Sequence, residues 1–308
     1  MARELGPRAM FVAGGTDLYP KLKRRQFEIE ALIGLDFLDR RVDTETIGAG
    51  ATLADVASHV GVPRGYGQAA GHVSSPPLRN AGTAGGNLCV DTRCNYYDMT
   101  YEWRKAIGFC LKKDGDICLV APSSPRCWAV SSSDTAPMAM ALEGLVTLVG
   151  ANGEREVPVA SLYRDDGIDY MAKQPSEVVT ALRLKGSQNT HSAYVKLRRR
   201  GSIDFPIAGA AVALQLDGDV VSGCRIVLSA VASYPLEATV AEVFLKGKRL
   251  ESEVVREAAE LAARPAKPLD NADLSHFWRK RMVRVVVEQA LARATTNRGV
   301  SVVKLAGR

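Results

Sequence analysis

Hydrophobic and polar positions change rhythm along this chain, and the changes mark its elements. Phe11-Val12 ends a short apolar run that stops at Ala13-Gly14-Gly15-Thr16-Asp17. Residues 18–25 then have helical texture with basic side chains at the end. Short apolar runs at 31–35 and 45–50 predict strands, and Thr52 stands where it can cap a helix through Ser58. The segment 79–88 carries too many glycines for a helix and shows no strand alternation, which predicts a loop. Residues 138–142 form an apolar helical stretch after Ser133-Asp134-Thr135-Ala136-Pro137, and 145–148 with 156–159 predict a hairpin around Asn152-Gly153.

Near residue 190 the texture shifts. Strands are expected at 193–197, 208–216 and 222–230, followed by helices at 236–245, 251–263 and 275–294, the last capped by Ser275. Strands first and helices after predict a separate α+β unit. The expected division is 1–190 and 191–308, with residues 89–130 as an insert in the first part.

Composition narrows the class. The chain has 308 residues, 46% hydrophobic and 24% charged, which accommodates two globular domains and excludes collagen, coiled coil and wholesale disorder. The most apolar stretch, 283–292, is interrupted by Arg284 and Glu288 and falls short of the roughly 18–20 residues of a membrane span. The first residues lack the apolar centre of a signal peptide, so a soluble, cytoplasmic protein is expected. The net charge of +6 is spread among interspersed acids, with no basic stripe for nucleic acid. It suits an anionic cofactor, an acidic partner subunit or an ordinary solvated surface.

Two features carry chemistry. The glycine loops, Gly14-Gly15-Thr16-Asp17 and Gly82-Thr83-Ala84-Gly85-Gly86-Asn87, can each turn backbone N–H groups toward an anion, and together they suit a ligand with two phosphates. Neither matches the Rossmann fingerprint or the P-loop. The second feature is cysteine density. Cys89, Cys94, Cys110, Cys118 and Cys127 fall within 39 residues, while Cys224 stands apart. In a cytoplasmic chain such a group points to a metal centre rather than disulfides. Without a Cys-x-x-Cys knuckle, iron–sulfur is favoured over zinc, and a cluster of buried reduced thiols is the remaining alternative. The histidines, His59, His72, His191 and His276, are scattered and suggest neither a triad nor a metal site.

Ala13-Gly14-Gly15-Thr16-Asp17-Leu18 and Arg79-Asn80-x-Gly82-Thr83-x-Gly85-Gly86-Asn87-Leu88 together resemble the FAD-binding subunits of the xanthine dehydrogenase family of molybdenum hydroxylases. Further matches occur in order: Ser133-Asp134 before Ala-Pro, Pro175-Ser176-Glu177-Val178-Val179, Tyr194-Val195-Lys196-Leu197-Arg198-Arg199, and Arg281-Met282-Val283-Arg284-Val285. The resemblance implies an α+β protein: a two-lobed FAD domain of the vanillyl-alcohol-oxidase (PCMH) type, then a small C-terminal domain of the CO dehydrogenase flavoprotein type. It further implies that FAD contacts Val12, Ala13, Gly14, Gly15, Thr16, Asp17, Leu18, Val73, Thr83, Gly85, Gly86, Asn87 and Val179. Asp134 and Lys196 are implied to hold the flavin ring, and Gly14, Gly15, Gly85 and Gly86 to offer N–H groups to its pyrophosphate.

The insert is similar to that of the β subunits of 4-hydroxybenzoyl-CoA reductases. The match lies in the spacing of Cys94, Cys110, Cys118 and Cys127 and in Asn95-Tyr96-Tyr97-Asp98, Tyr101-Glu102-Trp103-Arg104-Lys105-Ala106 and Ser124-Pro125-Arg126. This implies that the four cysteines ligate a [4Fe-4S] cluster and that Cys89 and Cys224 stay free. It implies partners as well: a large molybdopterin subunit and a small [2Fe-2S] subunit in a dimer of heterotrimers, with reduced ferredoxin as donor. A conventional xanthine, CO or aldehyde dehydrogenase-type subunit, passing electrons outward to NAD or a quinone, is the alternative within the family. A non-redox binding module with a structural zinc insert is the alternative outside it.

Overall fold

The structure, a computed structural model, describes residues 2–184, 190–270 and 274–295. After α1 (Ala2–Leu5), strand β1 (Ala9–Val12) runs parallel to β2 (Ala31–Gly34), with α2 (Leu18–Lys23) in the crossover between them. The first glycine loop is therefore a strand-to-helix turn. Strand β3 (Thr46–Gly48) leads to four short helices: α3 (Leu53–Ser58), α4 (Arg64–His72), α5 (Pro76–Ala81) and α6 (Ala84–Leu88). Thr52 caps α3 as expected, its hydroxyl accepting from Asp55 N at 3.1 Å.

The predicted glycine loop at 79–88 is instead the end of α5 and the whole of α6. Glycine disfavours helix by about 1 kcal/mol per residue. The Thr83 cap, whose hydroxyl accepts from Gly86 N, offsets part of that cost for Gly85 and Gly86. Close packing requires glycine here too, because a Cβ on Gly85 would lie 2.7 Å from Ala49 Cβ.

The insert contains α7 (Tyr101–Ala106), and α8 (Thr135–Ala141) follows it. Strands β4 (Leu145–Gly150), β5 (Gly153–Pro158) and β6 (Val178–Arg183) join β3 in an antiparallel sheet of order β3-β6-β4-β5. The predicted hairpin is β4–β5, with Gly153 at φ +96° in its turn.

The C-terminal part is an antiparallel sheet, β10-β9-β8-β7, made of β7 (Thr190–Leu197), β8 (Ala208–Asp217), β9 (Val220–Ser229) and β10 (Leu236–Glu237). Helices α9 (Thr239–Leu245), α10 (Ser252–Ala263) and α11 (His276–Thr295) complete it. The expected helix over 236–245 thus begins as a strand: Leu236 and Glu237 pair with β9 before the helix can start. The predicted 275–294 helix is α11, whereas residues 271–273 and 296–308 of the expected second unit lie outside the described residues.

Both faces of the C-terminal sheet are buried, because strand side chains alternate. Ala210, Val212 and Leu214 of β8 point to a core shared with α9, α10 and α11. Ala211 and Ala213 point the other way, into the core of the first part with Tyr66 and Met138. Small alanines let α4 and α8 approach this face closely. Gly65 N donates to Ser192 Oγ and Tyr194 N to Gln68 Oε1, pinning α4 along β7.

Candidate functional site

A cleft of about 640 Å³ lies between the two glycine loops, β6 and the segment around Tyr170. Val12, Ala13, Gly14, Gly15, Thr16, Asp17 and Leu18 line it, as do Val73, Thr83, Gly85, Gly86, Asn87 and Val179. All the cofactor residues expected from the sequence therefore meet there, except Asp134 and Lys196.

The two loops do different work. The N–H groups of Gly14, Gly15 and Thr16 make no hydrogen bond among the described residues and stand at the cleft wall. Gly15 holds φ +67°, a left-handed conformation suited to glycine. A Cβ on Gly14 would fall 1.9 Å from Ala81 O, so only glycine lets the first loop lie against α5. In the second loop, Gly85 N donates to Ala49 O at 3.0 Å and Gly86 N to Thr83 Oγ1 at 3.1 Å. These N–H groups are already used. The expectation that all four glycines serve the pyrophosphate is thus corrected: the first loop offers donors, and the second supplies shape. An open glycine wall with unpaired N–H groups fits the diphosphate of a dinucleotide.

Asp134 and Lys196 lie behind the cleft. Their side chains are 3% and 1% exposed and meet at 2.8 Å. Asp134 also accepts from Tyr194 Oη at 2.8 Å, and Lys196 donates to His72 O at 3.0 Å. Burial pushes the Asp134 carboxyl up and the Lys196 ammonium down, and their mutual contact opposes both shifts. Such a pair fixes α8 and the end of α4 to β7. The structure does not bring it to the cleft wall. His72 nearby is pulled down to about 4 by burial, with Arg198 and Lys196 adding to the effect. Asn87 anchors the second loop, its Oδ1 accepting from Ser133 Oγ, Thr135 N and Thr135 Oγ1.

The four expected cluster ligands converge on a second, smaller pocket. Cys94, Cys110, Cys118 and Cys127 line it together with Tyr96, Tyr97, Leu111, Lys112, Leu119, Val120 and Ala129. It is closed down to about 10 Å³, room for about one water. Cys110, Cys118 and Cys127 are buried. The turn around Cys110 is tight, with Phe109 and Asp114 both at left-handed φ, a strain of the kind found at functional sites. Burial pushes the Cys127 thiol up to about 11; Ala129 N–H and Lys112 oppose the shift, while Cys118 and Cys110 add to it. Ala129 N donates to Cys127 Sγ at 3.4 Å.

Among the described residues, no group of three or more His, Cys, Asp and Glu side chains is arranged to hold a metal ion. The expected metal centre is therefore present as a meeting of cysteines and not as a chelating geometry. The donor chemistry fits a thiolate-bound group: four thiols, an apolar and aromatic shell, and a backbone N–H aimed at sulfur. Cys89 lines the cleft rather than this pocket, and Cys224 lies in the C-terminal part, packed against its core.

A row of charges that the sequence did not reveal joins cleft and pocket. Lys21 of α2 lines the cleft and meets Asp91 Oδ2 at 2.6 Å. Lys112 of the cysteine pocket meets Asp91 Oδ1 at 2.7 Å. Burial alone would raise the Asp91 pKa, yet Lys112 and Lys21 hold the carboxyl below its usual range. The Tyr97 ring is close to both ammonium groups, its centroid 4.5 Å from Lys21 Nζ and 4.8 Å from Lys112 Nζ. Arg93 bonds Asp17 of the first loop and Asp98 of the insert, and stacks 4.0 Å from the Phe205 ring. Arg104 of α7 reaches the carbonyls of Arg24 and Arg25, at the end of α2. Nothing local in the sequence pairs positions 21, 91 and 112. Only a buried-charge count after folding could have found them.

A glycine-walled cleft between a strand-to-helix loop and a second helix start, backed by an α+β C-terminal sheet, is the architecture of a protein that binds a diphosphate-bearing ligand. Residues 1–184 match the FAD binding domain in molybdopterin dehydrogenase, and residues 192–294 the CO dehydrogenase flavoprotein C-terminal domain. The chain belongs to the FAD-binding subunits of the molybdenum hydroxylase family, of CO dehydrogenase medium-chain type. It is 26% identical over 298 residues to the carbon monoxide dehydrogenase medium chain of Hydrogenophaga pseudoflava, covering 94% of this chain and 90% of that one. It is 31% identical over 260 residues to the aldehyde oxidoreductase FAD-binding subunit PaoB of Escherichia coli K12, covering 78% of this chain and 80% of that one. The structure of carbon monoxide dehydrogenase from Hydrogenophaga pseudoflava superposes with TM-score 0.76 at 26% identity, over 96% of this chain and 92% of that one. The protein is thus an FAD-binding oxidoreductase subunit. No helix among the described residues is long and apolar enough to cross a membrane.

Proposed function

We propose that this chain is the FAD and [4Fe-4S] electron-transfer subunit of a cytoplasmic complex of the 4-hydroxybenzoyl-CoA reductase type. In this reading residues 1–190 hold both cofactors, and residues 191–308 form the C-terminal unit. The partners are a molybdopterin subunit, which carries the substrate chemistry, and a [2Fe-2S] subunit. Reduced ferredoxin is the donor, and the complex removes the ring hydroxyl as water to give benzoyl-CoA. The observation that carries the reading is the convergence of Cys94, Cys110, Cys118 and Cys127 on one pocket joined by charges to the FAD cleft.

When bound, the cluster would exchange single electrons and the flavin one or two. The residues of the chain do the holding. Gly14, Gly15 and Thr16 offer N–H groups to the pyrophosphate, and Thr83 and Asn87 shape the opposite wall. Tyr96, Tyr97, Leu111 and Val120 keep water from the thiols.

The names of the relatives favour a second reading, in which the subunit passes electrons outward from a dehydrogenase partner. Anaerobic reconstitution followed by a visible spectrum and iron and sulfide analysis tests the proposal. About four irons and four sulfides per chain, with flavin bands over a broad shoulder near ~400 nm, is the expected result. Flavin without iron would leave the conventional hydroxylase subunit, and stoichiometric zinc would overturn the cluster.

A further inference from the structure

The FAD cleft and the cysteine pocket share one buried carboxylate. Asp91 is 6% exposed, and its two oxygens are divided between Lys21, which lines the cleft, and Lys112, which lines the cysteine pocket. Lys21 and Lys112 are 1% and 6% exposed, so neither ammonium can exchange this partner for water. All three protons of Lys112 have acceptors: Asp91 Oδ1 at 2.7 Å, Thr92 Oγ1 at 2.6 Å and Gly167 O at 2.5 Å. Thr92 in turn donates to Gly167 O at 2.5 Å. Buried charges held this way move as a set, because breaking one contact leaves the others uncompensated.

A second strut runs in parallel. Helix α2 starts at the first glycine loop. Past its end, Gln26 Nε2 donates to Tyr97 O at 2.6 Å, while the Arg24 carbonyl accepts from Arg104 NH2 at 2.6 Å. The helix is therefore fastened to the insert close to the residues that face the thiols.

We propose that Lys112 is a positioning residue that couples the two sites: through Asp91 and Lys21 it sets the first glycine loop, so the state of the cysteine pocket alters FAD affinity. Coupling between sites is reciprocal, so bound FAD also favours a filled pocket. The dependence on pocket occupancy rests on the cluster reading above. The effect of Lys112 on FAD does not, since Lys112 lies outside the cleft lining.

The test is FAD affinity of the full chain, measured by flavin fluorescence in iron-reconstituted and iron-stripped protein. Lys113→Met is the control: it removes the same charge one residue away, where Lys113 pairs with Glu28 and Asp114 instead. In the wild type, stripping iron should weaken FAD binding by about fivefold or more. Lys112→Met should bind FAD about fivefold or more weakly and show no further change on stripping, whereas Lys113→Met should behave as wild type. Lys112→Arg should recover part of the coupling. If Lys112→Met does not fold, Thr92→Val removes one acceptor without removing charge, and should shift FAD affinity in the same direction. Wild-type affinity in Lys112→Met, or an equal loss in Lys113→Met, would overturn the proposal. If the wild type takes up no iron, the cluster reading falls, and the Lys112→Met and Lys113→Met affinities still decide the coupling.

Discussion

The glycine-walled cleft draws its two walls from loops about 70 residues apart, whereas the cysteine pocket takes all four thiols from one stretch, 94–127. The cleft works with backbone, open volume and unpaired N–H groups. The pocket works with side chains, burial and a closed apolar shell. A backbone site needs glycine for close approach, so its weak point is any added Cβ. A side-chain site needs particular atoms, so its weak point is any lost thiol. The two also depend on each other, because the insert follows directly from the second loop and its charges reach back to α2.

The largest break on the cleft side is Gly14→Val. Its Cβ would lie 1.9 Å from Ala81 O and push the loops apart, so the protein should purify with essentially no flavin. The flavin-to-protein absorbance ratio measures this, and full flavin content would show that the first loop is not the cradle. Gly86→Ala, whose Cβ would meet only Thr83 Oγ1 at 2.9 Å, should keep most of its flavin.

On the pocket side, Cys118→Ala should remove iron and weaken FAD binding only as far as stripping iron from the wild type does, and Cys89→Ala should leave iron unchanged, since Cys89 lines the cleft. Iron and flavin assayed on the same samples separate the two sites. Iron loss in Cys89→Ala with retention in Cys94→Ala would reassign the ligands.

Lys196→Met probes the buried pair behind the cleft. Leaving Asp134 uncompensated should cost about 3 kcal/mol, read as a lower denaturant midpoint. A shift in flavin potential without loss of stability would mean that Lys196 turns to the flavin instead of to Asp134.

The smallest effect is one of pH. Folding holds the His72 pKa near 4 against an ordinary 6.5, so the unfolded chain binds more protons between those values. Stability contributed by neutral His72 is present above pH ~6.5 and is lost as pH falls toward ~4. The denaturant midpoint should fall between pH 7 and pH 5, and less so in His72→Gln.

Local signals were legible before folding. The strands on either side of Gly218, the Asn152-Gly153 hairpin, the Thr52 cap and the glycine-rich first loop all follow from short-range patterns of turn residues and alternation. The residues of the cleft were legible from the order of motifs along the chain. The sequence misread residues 79–88 because helix propensity cannot register the Thr83 cap or the contact with Ala49 that holds one glycine-rich turn in place. It likewise extended a helix over Leu236 and Glu237, which β9 captures by long-range pairing.

The sequence by itself determined that glycine-rich turns, a cysteine-dense segment and a strand-then-helix C-terminal part are present, because each is a property of neighbouring residues. Only the tertiary structure decided which N–H groups remain free and that Asp134 and Lys196 turn to each other. It alone decided that Asp91 stands between Lys21 and Lys112. Those outcomes depend on burial. A charge or a donor removed from water must find its partner wherever the fold brings one, and nothing in the spacing along the chain records where that is.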